Sequence, residues 1–157
     1  MNAVEYGICE FLLDDRAIGL GFALDLRHLV TCAHVVNAAL GRRDKRDLAR
    51  PGPGDVIRVR FPIGGAPDID TSRKASVVEW LPGSPGSFEA NDIAVLELTE
   101  RAPAHVPAAR PRRYRRLMQV QMWGPQPGRP GGGHVRGELL GEVRGGRIQI
   151  IARAPAR

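Results

Sequence analysis

The sequence predicts an all-β fold, a barrel or a sandwich, and three observations carry that prediction. Apolar residues recur in short runs, several of them alternating with polar residues in the period of two that a half-buried strand requires. Turn formers separate the runs: 19 Gly and 13 Pro make up about one-fifth of the 157 residues, enough for many turns yet below the low-complexity range. A single segment, 33–40, reads as a short helix, closed by Gly41.

The elements follow in order. Residues 4–13 are apolar with polar residues interspersed and stop at Asp14-Asp15-Arg16; residues 17–26 resume the β-like run, so the pair reads as a hairpin turning at Asp14-Asp15. Gly19 and Gly21 lie inside the second strand, which signals a bulge or a close backbone approach. Leu29-Val30-Thr31 is a further extended piece before the helix. Residues 42–54 are charged and rich in Pro and Gly, a surface loop. In 56–61, Ile57, Val59 and Phe61 share one face, with Arg58 and Arg60 on the other. Residues 74–81 form a second alternating strand, with Val78 and Trp80 assigned to one face; loops are expected at 62–71 and 82–90. Residues 93–98 are a compact apolar run, read as a buried strand. A Pro-rich linker at 101–113 leads to strands at 116–123, 135–143 and 147–151, with connecting turns at 124–133 and 144–146.

Composition excludes several classes. At 43% hydrophobic and 25% charged, the chain has ordinary globular composition rather than that of a disordered one. Two cysteines exclude a disulfide scaffold. No apolar run reaches the roughly 18 residues of a membrane span, and residues 1–10 lack a basic, then apolar, leader. The expected compartment is the cytoplasm, with thiols reduced. Charge is unevenly spread: residues 1–100 carry a net of −4 and residues 101–157 a net of +10. The densest basic cluster, Arg110-Pro-Arg-Arg-Tyr-Arg-Arg116, surrounds an aromatic that could stack on a base. It is read first as a solvated linker, then as a docking segment; nucleic acid is not the expected partner.

The stretch that carries chemistry runs Gly19-Leu-Gly-Phe-Ala-Leu-Asp-Leu-Arg-His-Leu-Val-Thr-Cys-Ala-His34-Val-Val, and it is followed later by Asn91-Asp92-Ile-Ala-Val-Leu-Glu-Leu98. A hydroxyl nucleophile needs a base that titrates near neutrality, and imidazole is that base. A carboxylate that accepts the other ring N–H holds the imidazole in one tautomer. These two motifs, in this order and with this long separation, resemble the trypsin-like (chymotrypsin-fold) serine peptidases, in particular the bacterial intracellular type. The resemblance implies a double β-barrel, His34 as general base and acid, Asp92 as its orienting partner, and a protein or peptide substrate.

The departure from that pattern is equally specific. The family carries its nucleophile in a Gly-x-Ser-Gly-Gly type motif in the second barrel, but the serines here are Ser72, Ser76, Ser84 and Ser87, all before Asp92 and none in that context. Thr99 is the last threonine, and Cys9 and Cys32 both precede His34. The resemblance therefore implies an N-terminal portion only. Residues 1–100 would be a complete first barrel carrying the His and the Asp. Residues 101–115 would be a linker, and residues 116–157 an incomplete second barrel that stops before the serine motif. The expected function is a serine endopeptidase domain without its nucleophile, inactive as this chain and completed by further domains or a C-terminal segment. The alternative is a non-catalytic binding module that retains the first barrel.

No cofactor and no metal are expected. Cys32-x-His34 is not the short paired spacing of zinc sites, and both cysteines are read as small core residues. Asp68-Ile-Asp70 lacks the further ligands of a calcium loop. In Gly128-Arg-Pro-Gly-Gly-Gly133 no Lys-Ser/Thr follows, so it reads as a connecting turn rather than a phosphate loop. His28, His105 and His134 have no assignable partners and are read as surface or turn residues.

Overall fold

The computed structural model describes residues 5–63, 70–83, 91–107, 117–126, 129–143 and 147–153. The Arg110 to Arg116 cluster, Asp68, Ser84, Ser87 and the turn at 144–146 lie outside the described residues. The chain forms two compact units, Met1–Arg110 and Pro111–Arg157.

The first unit is a closed six-stranded barrel. A 3₁₀ turn, Glu5–Gly7, leads into β1 (Ile8–Leu13), followed by β2 (Arg16–Ala23), β3 (His28–Thr31), helix α1 (Ala33–Ala39), β4 (Ile57–Arg60), β5 (Ser72–Leu81) and β6 (Ile93–Leu98). The strand order around the barrel is β1-β2-β3-β6-β5-β4, and β4 pairs back onto β1. All six pairings are antiparallel, and closure leaves no barrel edge open to another chain.

Alternation fills the barrel as the sequence pattern demands. Cys9 and Phe11 of β1, Ile57 and Val59 of β4, and Ala94, Leu96 and Leu98 of β6 are buried, and Phe61 joins them just past the end of β4. The β1–β2 hairpin turns on Asp14 and Asp15, whose φ values of 48° and 63° suit the right-handed twist of a two-residue hairpin loop. Gly19 and Gly21 mark close approaches. A Cβ at Gly21 would sit 2.6 Å from the Val30 carbonyl oxygen, and one at Gly19 would sit 2.5 Å from a Val35 methyl. Gly19 is thus where α1 packs onto the barrel wall.

Two local expectations are corrected, and a third holds with an addition. The 93–98 run is not buried on both faces: Ile93 is exposed and Val95 half-buried, because β6 has the core on one side only. In β5, Val78 and Trp80 do not share a face. The ladder shifts register between Val77 and Glu79, so the inward positions change from Ala75 and Val77 to Trp80. The surface loop at 42–54 is pinned to the barrel: Trp80 Nε1 donates to the Leu48 carbonyl at 3.0 Å, and Arg50 donates to the Val78 carbonyl at 2.7 Å. Beyond β6, Ala102 and Val106 are buried in the barrel core, and the Ala102 N–H bonds the Leu26 carbonyl.

The second unit holds an antiparallel three-stranded sheet, β7 (Gln119–Gln126), β8 (Arg129–Val143) and β9 (Arg147–Arg153), with β8 in the middle. The segment 129–133, read from its Gly and Pro content as a connecting turn, is the first part of β8. Gly133 pairs with Gly124 and Arg129 with Gln126, so ladder pairing satisfies a backbone whose composition suggests a loop.

Candidate active site

The site is built where two neighbouring strands end. β3 and β6 pair antiparallel with Thr31 opposite Ala94, so continuing that register places Ala33 beside Asp92. The contact is made: the Ala33 N–H donates to the Asp92 carbonyl at 3.3 Å. Thr31 is fixed from the other side, its hydroxyl donating to the Leu20 carbonyl at 2.7 Å.

Cys32 is the extended N-cap residue of α1, and its side chain makes no capping bond. The first N–H groups of a helix need acceptors. Asp92 supplies one from 58 residues away in the chain, its Oδ1 accepting the His34 N–H at 3.0 Å. Its other oxygen, Oδ2, lies 2.6 Å from His34 Nδ1. A carboxylate only accepts, so Nδ1 carries the proton and Nε2 holds the free lone pair. The side chains of His34 and Asp92 are 50% and 38% exposed, so the imidazole is open to a ligand while its partner is anchored.

An open cleft of about 530 Å³ lies against this pair. Gly83, Asn91, Asn37, Lys45 and Asp47 are among the residues that line it. Sequence reasoning missed Asn37. It is 1% exposed and acts as a hub, its Nδ2 donating to the carbonyls of Lys45 (3.0 Å) and Asp47 (2.9 Å) and its Oδ1 accepting from Arg42 at 3.0 Å. Arg42 also bonds the Ala49 carbonyl at 2.6 Å and pairs with Asp47. This network holds the cleft wall. The available signal was an amide inside the apolar helix segment Val35-Val36-Asn37-Ala38-Ala39, a position that demands buried hydrogen-bond partners.

The cysteines divide. Cys9 is buried as expected, and burial pushes its thiol up to about 12. Cys32 is exposed, contrary to the core reading, because it sits at the strand-to-helix turn rather than inside the barrel. Partial burial, and then the Asp92 charge, raise its thiol above the ordinary value. The Cys32 sulfur, a His34 ring nitrogen and an Asp92 carboxylate oxygen all lie within 4.8 Å of one another, a set of ligand atoms that the sequence spacing did not suggest.

Two other histidines gain partners. His28 Nδ1 lies 2.9 Å from Asp25 Oδ2, and Asp25 Oδ1 also accepts the N–H groups of Arg27 and His28. Those backbone bonds, with the imidazole, hold Asp25 below the usual carboxylate range. Asp25 is a turn-forming residue between β2 and β3, and this pair does not border the cleft. His105 meets the Tyr6 ring edge-on at 6.2 Å. The side chain of His134 lies outside the described residues.

No protein-family model matches the sequence, and no curated protein matches it. Solved structures do. The crystal structure of Deg5 matches with a TM-score of 0.55 at 20% identity, covering 98% of this chain and 71% of that one. The likeness is one of fold. The chain has an all-β, trypsin-like first barrel. No helix among the described residues is long and apolar enough to cross a membrane.

Proposed function

We propose that this chain carries the base and the orienting acid of a trypsin-like serine endopeptidase site, acting on peptide bonds of proteins or peptides. One observation carries the reading: His34 Nδ1 lies 2.6 Å from Asp92 Oδ2, on an imidazole that borders an open cleft. In this arrangement Nε2 takes the proton of an attacking hydroxyl and returns it to the leaving amine, while Asp92 stabilises the imidazolium between the two steps. The proposed division is a first barrel in 1–100, a linker in 101–115 and the opening strands of a second barrel in 116–157. The nucleophile is the missing part: no serine follows Ser87, and the 157 residues hold no Gly-x-Ser-Gly-Gly segment. The chain by itself is then not a competent peptidase.

That same gap favours a second reading, a binding module that keeps the barrel without the chemistry. The test is the encoding DNA beyond the codon for Arg157, read in all three frames, followed by hydrolysis assays. The peptidase reading expects a Gly-x-Ser-Gly-Gly type segment there. It also expects that the extended protein cleaves peptides and reacts with a fluorophosphonate, and that His34→Ala abolishes both. If no frame holds such a segment, the binding module is the better account; hydrolysis that survives His34→Ala overturns the role given to His34.

A further inference from the structure

We propose that Cys32, His34 and Asp92 form a binding site for a thiophilic divalent cation such as Zn²⁺, and that occupancy of the site removes the imidazole base. The three ligand atoms, one sulfur, one nitrogen and one carboxylate oxygen, already lie within 4.8 Å of one another. Tetrahedral Zn²⁺, with bonds of roughly 2.0–2.3 Å, needs ligand atoms roughly 3–4 Å apart. Small rotations of exposed side chains close that gap. The Nδ1 to Oδ2 distance of 2.6 Å has to open slightly as the ion takes the place of the shared proton.

The donor set selects the ion. A thiolate and an imidazole favour Zn²⁺, Cd²⁺ or Co²⁺ over Mg²⁺ and Ca²⁺. Three protein ligands leave a fourth position for water, and two of the three residues are exposed, so the ion has a path in. The ligands are also oriented in advance. Asp92 Oδ1 is held by the His34 N–H, and Cys32 is fixed as the extended residue between β3 and α1. Binding releases the thiol proton to solvent. The imidazole stays neutral: if the ion takes Nδ1, its proton moves to Nε2, and if it takes Nε2, that lone pair is used directly. Either way Nε2 no longer accepts a proton.

Metal binding does not depend on the peptidase reading; its inhibitory consequence does. The test is a Cd²⁺ titration of the purified, reduced chain, monitoring the ultraviolet thiolate-to-metal charge-transfer absorption, with Zn²⁺ as competitor. The expected result is one ion per chain and displacement by Zn²⁺ but not by Mg²⁺. Cys32→Ser should abolish the band and weaken Zn²⁺ binding at least about tenfold. Asp92→Asn should weaken it as well, while Cys9→Ser and His28→Asn should leave it unchanged. Far-UV circular dichroism identifies any variant that fails to fold, and His34→Asn then serves as the second ligand test. A band that is absent, that survives Cys32→Ser in the folded protein, or that disappears with Cys9→Ser overturns the site. Metal binding without any peptidase activity in an extended protein would keep the site and sink the proposed function.

Discussion

Asp92 holds His34 twice, through the backbone N–H at 3.0 Å and through the ring Nδ1 at 2.6 Å. One carboxylate therefore caps the helix on which the imidazole sits and fixes the tautomer of that imidazole. The two tasks can be separated by substitution. Asp92→Asn keeps an oxygen for the His34 N–H but can turn an amide N–H toward Nδ1, which then accepts, and the ring proton moves to Nε2. The nitrogen-15 shifts of the imidazole should report Nδ1–H in the parent chain and Nε2–H in the variant. Asp92→Ala should also lose the cap, at a cost of about 1 kcal/mol in urea denaturation. An unchanged tautomer in Asp92→Asn would show that the carboxylate does not orient the ring.

The Asn37 hub should be worth more than a surface contact. Asn37→Ala leaves two carbonyls and one Arg42 N–H without their buried partner, a loss of about 2–3 kcal/mol. The loop it holds should also loosen, letting trypsin draw the already exposed Arg43, Lys45 and Arg46 into its site. Faster cleavage at those residues, together with a lower urea midpoint, is the expected result. A variant as stable and as resistant as the parent would mean that the loop is held elsewhere.

Gly21 faces backbone, which cannot move aside. An added Cβ would lie 2.6 Å from the Val30 carbonyl oxygen and 2.7 Å from the Phe11 ring. Gly21→Ala should cost about 1–3 kcal/mol. Gly7→Ala, with nothing within 4 Å of the added Cβ, is the control and should be nearly neutral. Equal thermal midpoints for the two variants would contradict the packing described for β2 and β3.

Much of the first barrel was legible because its code is local. Alternation gave the faces of β4, and Asp14-Asp15 gave the hairpin. The inward switch at Val78 was not legible, because a bulge is set by the partner strand rather than by the run itself. Arg129 to Gly133 misled for a related reason: Gly and Pro weaken a strand, but pairing with β7 overrides that preference. At the site, His34 and Asp92 were found only through resemblance, since 58 residues separate them and the β3–β6 register alone brings them together. The same register places Cys32 beside them, which no spacing rule for metal ligands along the chain could reveal.

The two thiols should separate under alkylation. Cys32 is exposed and Cys9 is buried, so iodoacetamide at pH 8 should label Cys32 alone in the folded chain. Burial and the Asp92 charge both raise the Cys32 thiol, so its labelling rate should continue to climb at pH values where an ordinary thiol has levelled off. Asp92→Asn removes the second cause, increases the thiolate at a given pH and should speed labelling. Cys9 gives a stability effect of opposite visibility. Its thiol is raised in the folded chain from 9.0 to about 12, so the unfolded chain loses this proton first. The associated stability is whole below 9.0 and is lost progressively as pH rises toward about 12. Cys9→Ala should lower stability at neutral pH by leaving a small cavity, yet flatten its decline over that alkaline window. Urea midpoints for both chains across the window decide the matter: parallel slopes would show that the buried thiol contributes nothing to the alkaline loss.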